Sequence, residues 1–352
     1  MLERIGREIA SHGGWISFAR YMEMILHAPG GYYAGGARKF GAAGDFVTAP
    51  ELGGLFGRTL ARQLKELSTD GRTTILEVGA GSGALAEALL ARLDCEYLIL
   101  ETSAELADRQ RKRLGDRARW LTQMPCGFRG VVIANEVLDA MPVHAIAWRE
   151  NGIFERGVAW EGQALAWSER PAAGAVLGAA QAIEVPRPYE SELGLAGQAW
   201  MRSLASTLEA GVAFIVDYGF PAREYYHPQR ASGTLMCHHR HRAHDEVFAR
   251  PGEQDVTAHV DFSALAHAAA EGGLDILGYT TQAQFLVNCG ITEVLGEANA
   301  DNALVYAPLA AEANRLLSPA EMGELFKVLA VGRGAMQRPL LGFARNDRVH
   351  TL

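Results

Sequence analysis

Residues 73–84, TTILEVGAGSGA, pass from an apolar stretch into three alternating glycines and on into a helix-forming segment. The run reads as a strand, a tight turn and a helix start. Gly79, Gly81 and Gly83 take the β-carbons out of the turn, so a ligand can approach the backbone and the next helix can pack close to its strand. Many nucleotide-binding folds share such a turn, and two carboxylates narrow the choice. Glu77 sits near the end of a strand that is otherwise Ile75, Leu76 and Val78, a costly place unless a cation or a hydrogen-bond donor faces it. Glu101 closes the next apolar run, Tyr97 to Leu100, about 20 residues beyond the turn, where an acidic side chain can take both hydroxyls of a ribose. Together they describe a site for an adenosine-containing cofactor.

Gly79-x-Gly81-x-x-Ala84 also satisfies the dinucleotide fingerprint, and Glu101 suits NAD as well. Glu77 leans the other way, because a carboxylate two residues before the first glycine would repel a pyrophosphate. S-adenosylmethionine carries an ammonium and a sulfonium instead. The spacing E-x-G-x-G-x-G therefore favours a methyltransferase nucleotide site, with an NAD-dependent oxidoreductase as the alternative. A strand-turn-helix that binds nothing would leave both carboxylates unexplained.

Composition sets the outer bounds. With 352 residues, 49% of them hydrophobic and 21% charged, the chain can bury a sizeable core, which excludes disordered and fibrous classes. No apolar run approaches the roughly 20 residues of a spanning helix, and the opening MLERIGREIASHGGW mixes acids with bases. The expectation is a cytoplasmic protein without a secretion signal. Cys95, Cys126, Cys237 and Cys289 lie far apart and read as reduced, buried thiols. A formal net charge of −8 argues against a large nucleic-acid footprint.

Before the central strand, residues 1–68 form an N-terminal helical and lid region, with helical patterns near Ile16–Leu26 and Gly53–Leu67. Between them a glycine-rich loop, Gly30–Glu51, carries Tyr32, Tyr33, Phe40 and Phe46 and has the character of a segment that closes a site. From 69 to 352 the pattern alternates: strand 73–79, helix 84–93, strand 96–102, helix 103–115, strand 118–122 and strand 130–134. Such alternation predicts a parallel α/β sheet with ligands outside the carboxyl ends of its strands. Glu77, Glu101 and Asn135-Glu136 then share one edge, joined by Asp217-Tyr218-Gly219 after strand Val212–Val216. Two insertions interrupt the pattern, hairpins and irregular chain at about 143–190 and a His-, Arg- and Pro-rich stretch at about 221–259, which are expected to form the substrate side. Helices near 196–209, 261–271, 282–289, 302–316 and 319–325 and strands at 274–280 and Lys327–Val331 complete the chain.

Asn135-Glu136-x-x-Asp139 falls where the fourth strand ends. If the backbone turns helical there, three-residue spacing points both carboxylates the same way, toward a planar, permanently charged guanidinium. A strand-end acceptor followed by a cap before Pro142 is the plainer reading. Cys237, His238, His239, His241 and His244 crowd together without any zinc spacing, so a hydrogen-bonded substrate wall is preferred to a metal. Asp261 or Thr257 is expected to cap the helix that follows. An N-P-P-aromatic element for a flipped adenine is missing after the fourth strand, and Pro125-Cys126 lies before it, which disfavours nucleic-acid methylation.

These motifs resemble the MidA-like class I methyltransferases, a family that includes a mitochondrial complex I assembly factor methylating arginine. The likeness covers nearly the whole chain through GYY (31–33), GDFVTAPE (44–51), LEVGAGSG (76–83), NEVLDAMPV (135–143), VDYG (216–219), DVTAHVDF (255–262) and ELFKVLAVG (324–332). It implies a Rossmann-like seven-stranded sheet, S-adenosylmethionine as donor, and an arginine-containing protein as substrate. It further implies that Thr48, Pro50 and Glu51 lid the cofactor and that Glu77, Gly79, Gly81, Glu101 and Asn135 hold it. Thr102 and Met124 are counted with them. Glu136 and Asp139 would face the substrate, with His259 as a third catalytic candidate. After Trp120-Leu121, where the family often has an acidic residue, this chain has Thr122. A binding or assembly factor that keeps the cofactor site without turnover is the alternative from another class.

Overall fold

Parallel strands buried on both faces need long apolar runs and crossover helices between them, and this chain supplies both. The computed structural model describes residues 1–34, 48–67, 73–240, 242–334 and 339–352. Its central strands are β1 (Thr73–Val78), β2 (Cys95–Leu100), β3 (Arg119–Leu121), β4 (Phe128–Asn135), β5 (Leu208–Phe220), β6 (Asp275–Thr281) and β7 (Phe326–Arg333). They lie in the order 3-2-1-4-5-7-6. Strands β1 to β5 run parallel, and β7 enters antiparallel between β5 and β6. This is the Rossmann-like sheet of a class I methyltransferase. Its strand order reverses between β1 and β4, where a crevice must open above the carboxyl ends.

Alternation along each strand divides the core. Ile75, Ile133 and Phe214 face helix Leu55–Glu66 and its neighbours, while Leu76, Val132 and Ala213 face helices Leu195–Thr207 and Phe262–Glu271. The buried acid Glu312 accepts from the amides of Leu55 (2.7 Å) and Phe56 (3.4 Å) and so holds the start of helix Leu55–Glu66, whose N-cap Gly54 offers no side chain.

The insertions fold on themselves. Strands His144–Arg149, Gly152–Glu161, Ala164–Pro171 and Tyr189–Leu193 make an antiparallel sheet, with the short strand Ile16–Ser17 paired to 157–158. Helices Leu2–Ser11 and Phe18–Leu26 pack on this sheet, through Ile5, Ile9, Phe18 and Tyr21 against Val143, Ala145 and Val158. Met236–His239, Arg242–His244 and Asp255–Thr257 form a second small sheet.

Two expectations change. Residues 319–325 are turns: after Ser318-Pro319 the amides of Glu321 and Gly323 return to the Ser318 carbonyl, and no helix forms. Cys237 and Cys289 are buried, but Cys126 is exposed and Cys95 half-buried. The segment after β4 is a turn, for a reason given below. Phe40, Phe46, all of GDFV and His241 lie outside the described residues.

Candidate active site

A cavity of about 370 Å³ opens where the strand order reverses. The ends of β1, β2 and β4 bring Glu77, Gly79, Gly81, Glu101, Thr102, Asn135, Glu136 and Asp139 to its wall, and Thr48, Pro50, Glu51 and Met124 join them from outside the sheet. His259 is not among them. Five carboxylates face this space, from Glu51, Glu77, Glu101, Glu136 and Asp139, and the described lining contains neither lysine nor arginine. Such a wall offers no counter-charge to a pyrophosphate and calls for a cationic guest.

The end built on β1 and β2 is closely braced. Gly79 and Gly81 have φ of +65° and +53°, a left-handed backbone that only glycine adopts readily. Glu77 is buried and accepts from Tyr97 Oη at 2.7 Å; burial pushes its carboxyl up to about 7. Glu101 accepts from the Ser103 amide (2.9 Å) and from Gln110 Nε2 (2.9 Å). The same Gln110 amide donates to the Gly81 carbonyl at 3.0 Å, and Trp120 Nε1 donates to Gln110 Oε1 at 2.9 Å. One buried glutamine thus ties the glycine turn to the acid on β2. Glu51 reaches the same turn by accepting from Ser82 Oγ.

At the β4 end the bracing comes from β5. Asp217 is fully buried, and its Oδ2 accepts from the consecutive amides of Val137 (3.2 Å), Leu138 (2.9 Å) and Asp139 (3.3 Å). These three N–H groups, gathered on one oxygen, hold the segment after Asn135 as a turn rather than the helix on which the three-residue spacing was conditioned. Glu136 takes φ +53°, uncommon for a residue with a side chain, and its amide donates to Val216 O at 2.8 Å. Its carboxyl lies deep, with part of its surface on the cavity. It accepts from Asn135 Nδ2 at 3.1 Å, and burial, reinforced by Asp139, pushes it up to about 8. Asp139 accepts from Tyr218 Oη and from the Ala140 amide (2.9 Å), while burial holds it at about 6. The turn brings both carboxylates to one cavity, as the three-residue spacing suggested, by a different backbone route.

His259 stands one layer back. Its ring stacks on Phe220 at 5.3 Å and meets the edge of Tyr218 at 5.2 Å; burial lowers its pKa to about 4, and Nδ1 has no partner. It lines a small separate cavity with Leu138, Met141 and Asp261. Asp261 caps the helix that starts at Phe262, through the Ala264 amide at 3.0 Å, and Thr257 does not. No described residue of 143–190 or 221–259 lines the main cavity. The second insertion touches it at one remove: Tyr33 Oη donates to Asp255 at 3.1 Å and the Ala258 amide to the Asp139 carbonyl at 3.0 Å. His239 and His244 bond locally, to the Glu253 carbonyl and the Glu246 amide, and neither lines the main cavity.

The sequence left Gln110, Trp200 and His27 unnoticed, and it placed Asp217 and Tyr218 on the polar edge and Tyr33 in the closing loop without a role; the His27 and Tyr33 rings stack at 5.7 Å, with His27 Nε2 donating to the Ala140 carbonyl at 3.0 Å. Gln110 was detectable, since it interrupts the buried face Leu106, Ala107, Leu114 of helix Ala104–Leu114.

The donor set fits S-adenosylmethionine. Asn135 Oδ1 is buried without a partner and Glu77 has a single side-chain donor, which suits a ligand rich in N–H and O–H groups and positively charged. The fold and this acidic, glycine-floored cavity define an S-adenosylmethionine-dependent methyltransferase. A family model described as "Putative S-adenosyl-L-methionine-dependent methyltransferase" matches residues 55–280, and the chain belongs to that MidA-like family. It is 49% identical to a chain from Burkholderia thailandensis solved with S-adenosylhomocysteine bound, with a TM-score of 0.95 over 99% of this chain and 96% of the other. It is 29% identical to the mitochondrial protein arginine methyltransferase NDUFAF7 homolog of Drosophila melanogaster, covering 94% of this chain and 86% of the relative. For NDUFAF7 of Xenopus tropicalis the values are 30%, 90% and 82%. S-adenosylmethionine is the methyl donor.

Proposed function

We propose that the protein transfers methyl groups from S-adenosylmethionine to an arginine side chain of a protein substrate. The observation that carries this reading is the pair Glu136 and Asp139, one half-buried and one buried carboxyl on a cavity whose described lining has no lysine or arginine to neutralise them. A guanidinium is planar, charged at every working pH and matched to bidentate carboxylate acceptors; a hydroxyl or an adenine would not require the pair. The names of the arginine-methylating relatives support the same choice.

In this reading Glu77 and Asn135 take the polar end of the donor, Glu101 the ribose, and Gly79 and Gly81 let it approach the backbone. Thr48, Pro50, Glu51, Thr102 and Met124 enclose it. The bound donor supplies an already activated methyl group, so the chain has mainly to align and to manage charge. A guanidinium nitrogen that gains a methyl group gives up a proton, and Glu136 or Asp139 is placed to accept it. Glu136, pushed up to about 8 in the free cavity, regains its charge when a guanidinium arrives beside it. His259 acts through the packing of Tyr218.

Incubating the purified protein with methyl-labelled S-adenosylmethionine and a lysate of its own organism, followed by mass spectrometry of labelled bands, tests the reading. Label on arginine of a protein is expected. Label on lysine, a carboxyl group, a small metabolite or a nucleotide would overturn it.

A further inference from the structure

The VDYG stretch, Val216–Gly219, ends β5 and is assigned no role in binding the donor, yet three of its residues grip the segment that carries Glu136 and Asp139. Val216 accepts the Glu136 amide at 2.8 Å. Asp217 Oδ2 collects the next three amides, and its Oδ1 accepts the Tyr218 amide at 2.9 Å, which fixes the carboxylate plane. Tyr218 Oη reaches forward to Asp139 Oδ2. The Tyr218 ring is itself held edge-on between Phe326 of β7 (5.5 Å) and His259 (5.2 Å). Backbone and side chain of the acceptor segment are therefore set from one neighbouring strand.

Two features need an explanation of this kind. A glutamate at φ +53° holds that conformation only where its surroundings over-determine it. Three consecutive amides on one carboxylate oxygen are such surroundings, because together they fix the backbone that follows Glu136. Asp139, with Ala140 N–H on one oxygen and Tyr218 O–H on the other, is confined to one rotamer. We propose that Asp217 and Tyr218 are positioning residues for methyl transfer: Asp217 imposes the backbone that turns Glu136 into the cavity, and Tyr218 fixes the Asp139 carboxylate that meets the acceptor. The inference rests on the reading of Glu136 and Asp139 as guanidinium ligands.

Tyr218→Phe keeps the ring between Phe326 and His259 and deletes one hydroxyl, so it is the variant least disturbing to folding. The groups facing Asp139 are Glu136 on its own segment, Asp217 and Tyr218 from β5, and Tyr33 from the N-terminal region. Losing the Tyr218 hydrogen bond removes the interaction that most lowers the Asp139 pKa, leaving burial to raise it. The first measurement is binding of N-acetylarginine amide to the full chain saturated with S-adenosylhomocysteine, by NMR titration. Wild type should bind it, and Tyr218→Phe and Asp217→Asn should each bind about tenfold or more weakly with unchanged S-adenosylhomocysteine affinity. The second is the pH profile of methyl transfer, whose acid limb should move up by about one unit in Tyr218→Phe, a shift that loss of packing would not produce. If wild type takes no arginine probe, the guanidinium reading fails and this proposal with it. If wild type binds and Tyr218→Phe matches it in both affinity and acid limb, the guanidinium reading survives and the positioning roles are wrong.

Discussion

Glu101 and Glu136, at the two ends of the cavity, are held in opposite ways. At the β1–β2 end Glu101 is met on both oxygens by protein donors, and Gln110 links it to the glycine turn, so the acid is ready in advance for a neutral ribose. At the β4 end Glu136 stands in a left-handed backbone with Asn135 as its side-chain donor and is pushed up to about 8. The first arrangement is preorganised and nearly satisfied; the second is left in need of a cation. One cavity can therefore treat donor and acceptor as separable problems.

The hardest way to break the donor end is Gly81→Val. A β-branched residue at φ +53° strains the turn and fills ligand space, so S-adenosylmethionine affinity should drop by more than about 10², measured by calorimetry. Glu101→Ala is expected to weaken binding ten- to a hundredfold, about 1.5–3 kcal/mol, by removing a charged partner of the ribose. Unchanged affinity in both variants would place the donor elsewhere. Acidification should act in the same direction. Glu77 has its free-state pKa raised to about 7, and an ammonium ligand favours the charged form, so affinity should hold above pH 7 and fall by roughly tenfold per unit below it. Glu77→Gln should bind weakly with a flat profile, and a wild-type affinity independent of pH between 5 and 8 would remove Glu77 from the site. The smallest effect is expected for Gln110→Ala, about 1 kcal/mol or fivefold in affinity, because it touches the ligand only through Gly81 and Glu101.

The same contrast decides what the sequence could reveal. Strands β1, β2 and β4 were legible because each is buried on both faces and reads as an apolar run closing on a polar residue. The donor end was legible because its determinants are local: a glycine turn, an acid two residues before it and another at the end of the next strand. The acceptor end depends on bonds between distant positions, such as Asp217 to Leu138, 79 residues apart. Without them the spacing of Glu136 and Asp139 suggests a helix, and the structure makes a turn. The helix expected at 319–325 gives way to turns that bring the Gly323 amide back to the Ser318 carbonyl, with a glycine, visible in the sequence, in the middle of the expected helix. His259 was drawn toward the site by its motif, but its ring serves the wall behind Tyr218.

Separability of the two ends is tested most directly by measuring two quantities on the same pair of variants, Glu136→Gln and Asp139→Asn: S-adenosylmethionine affinity by calorimetry and methyl transfer to the labelled protein substrate. Near-normal affinity is expected together with a loss of about 10² or more in turnover, as when a positioning contact fails. Affinity and turnover falling together, or turnover unchanged, would contradict that expectation.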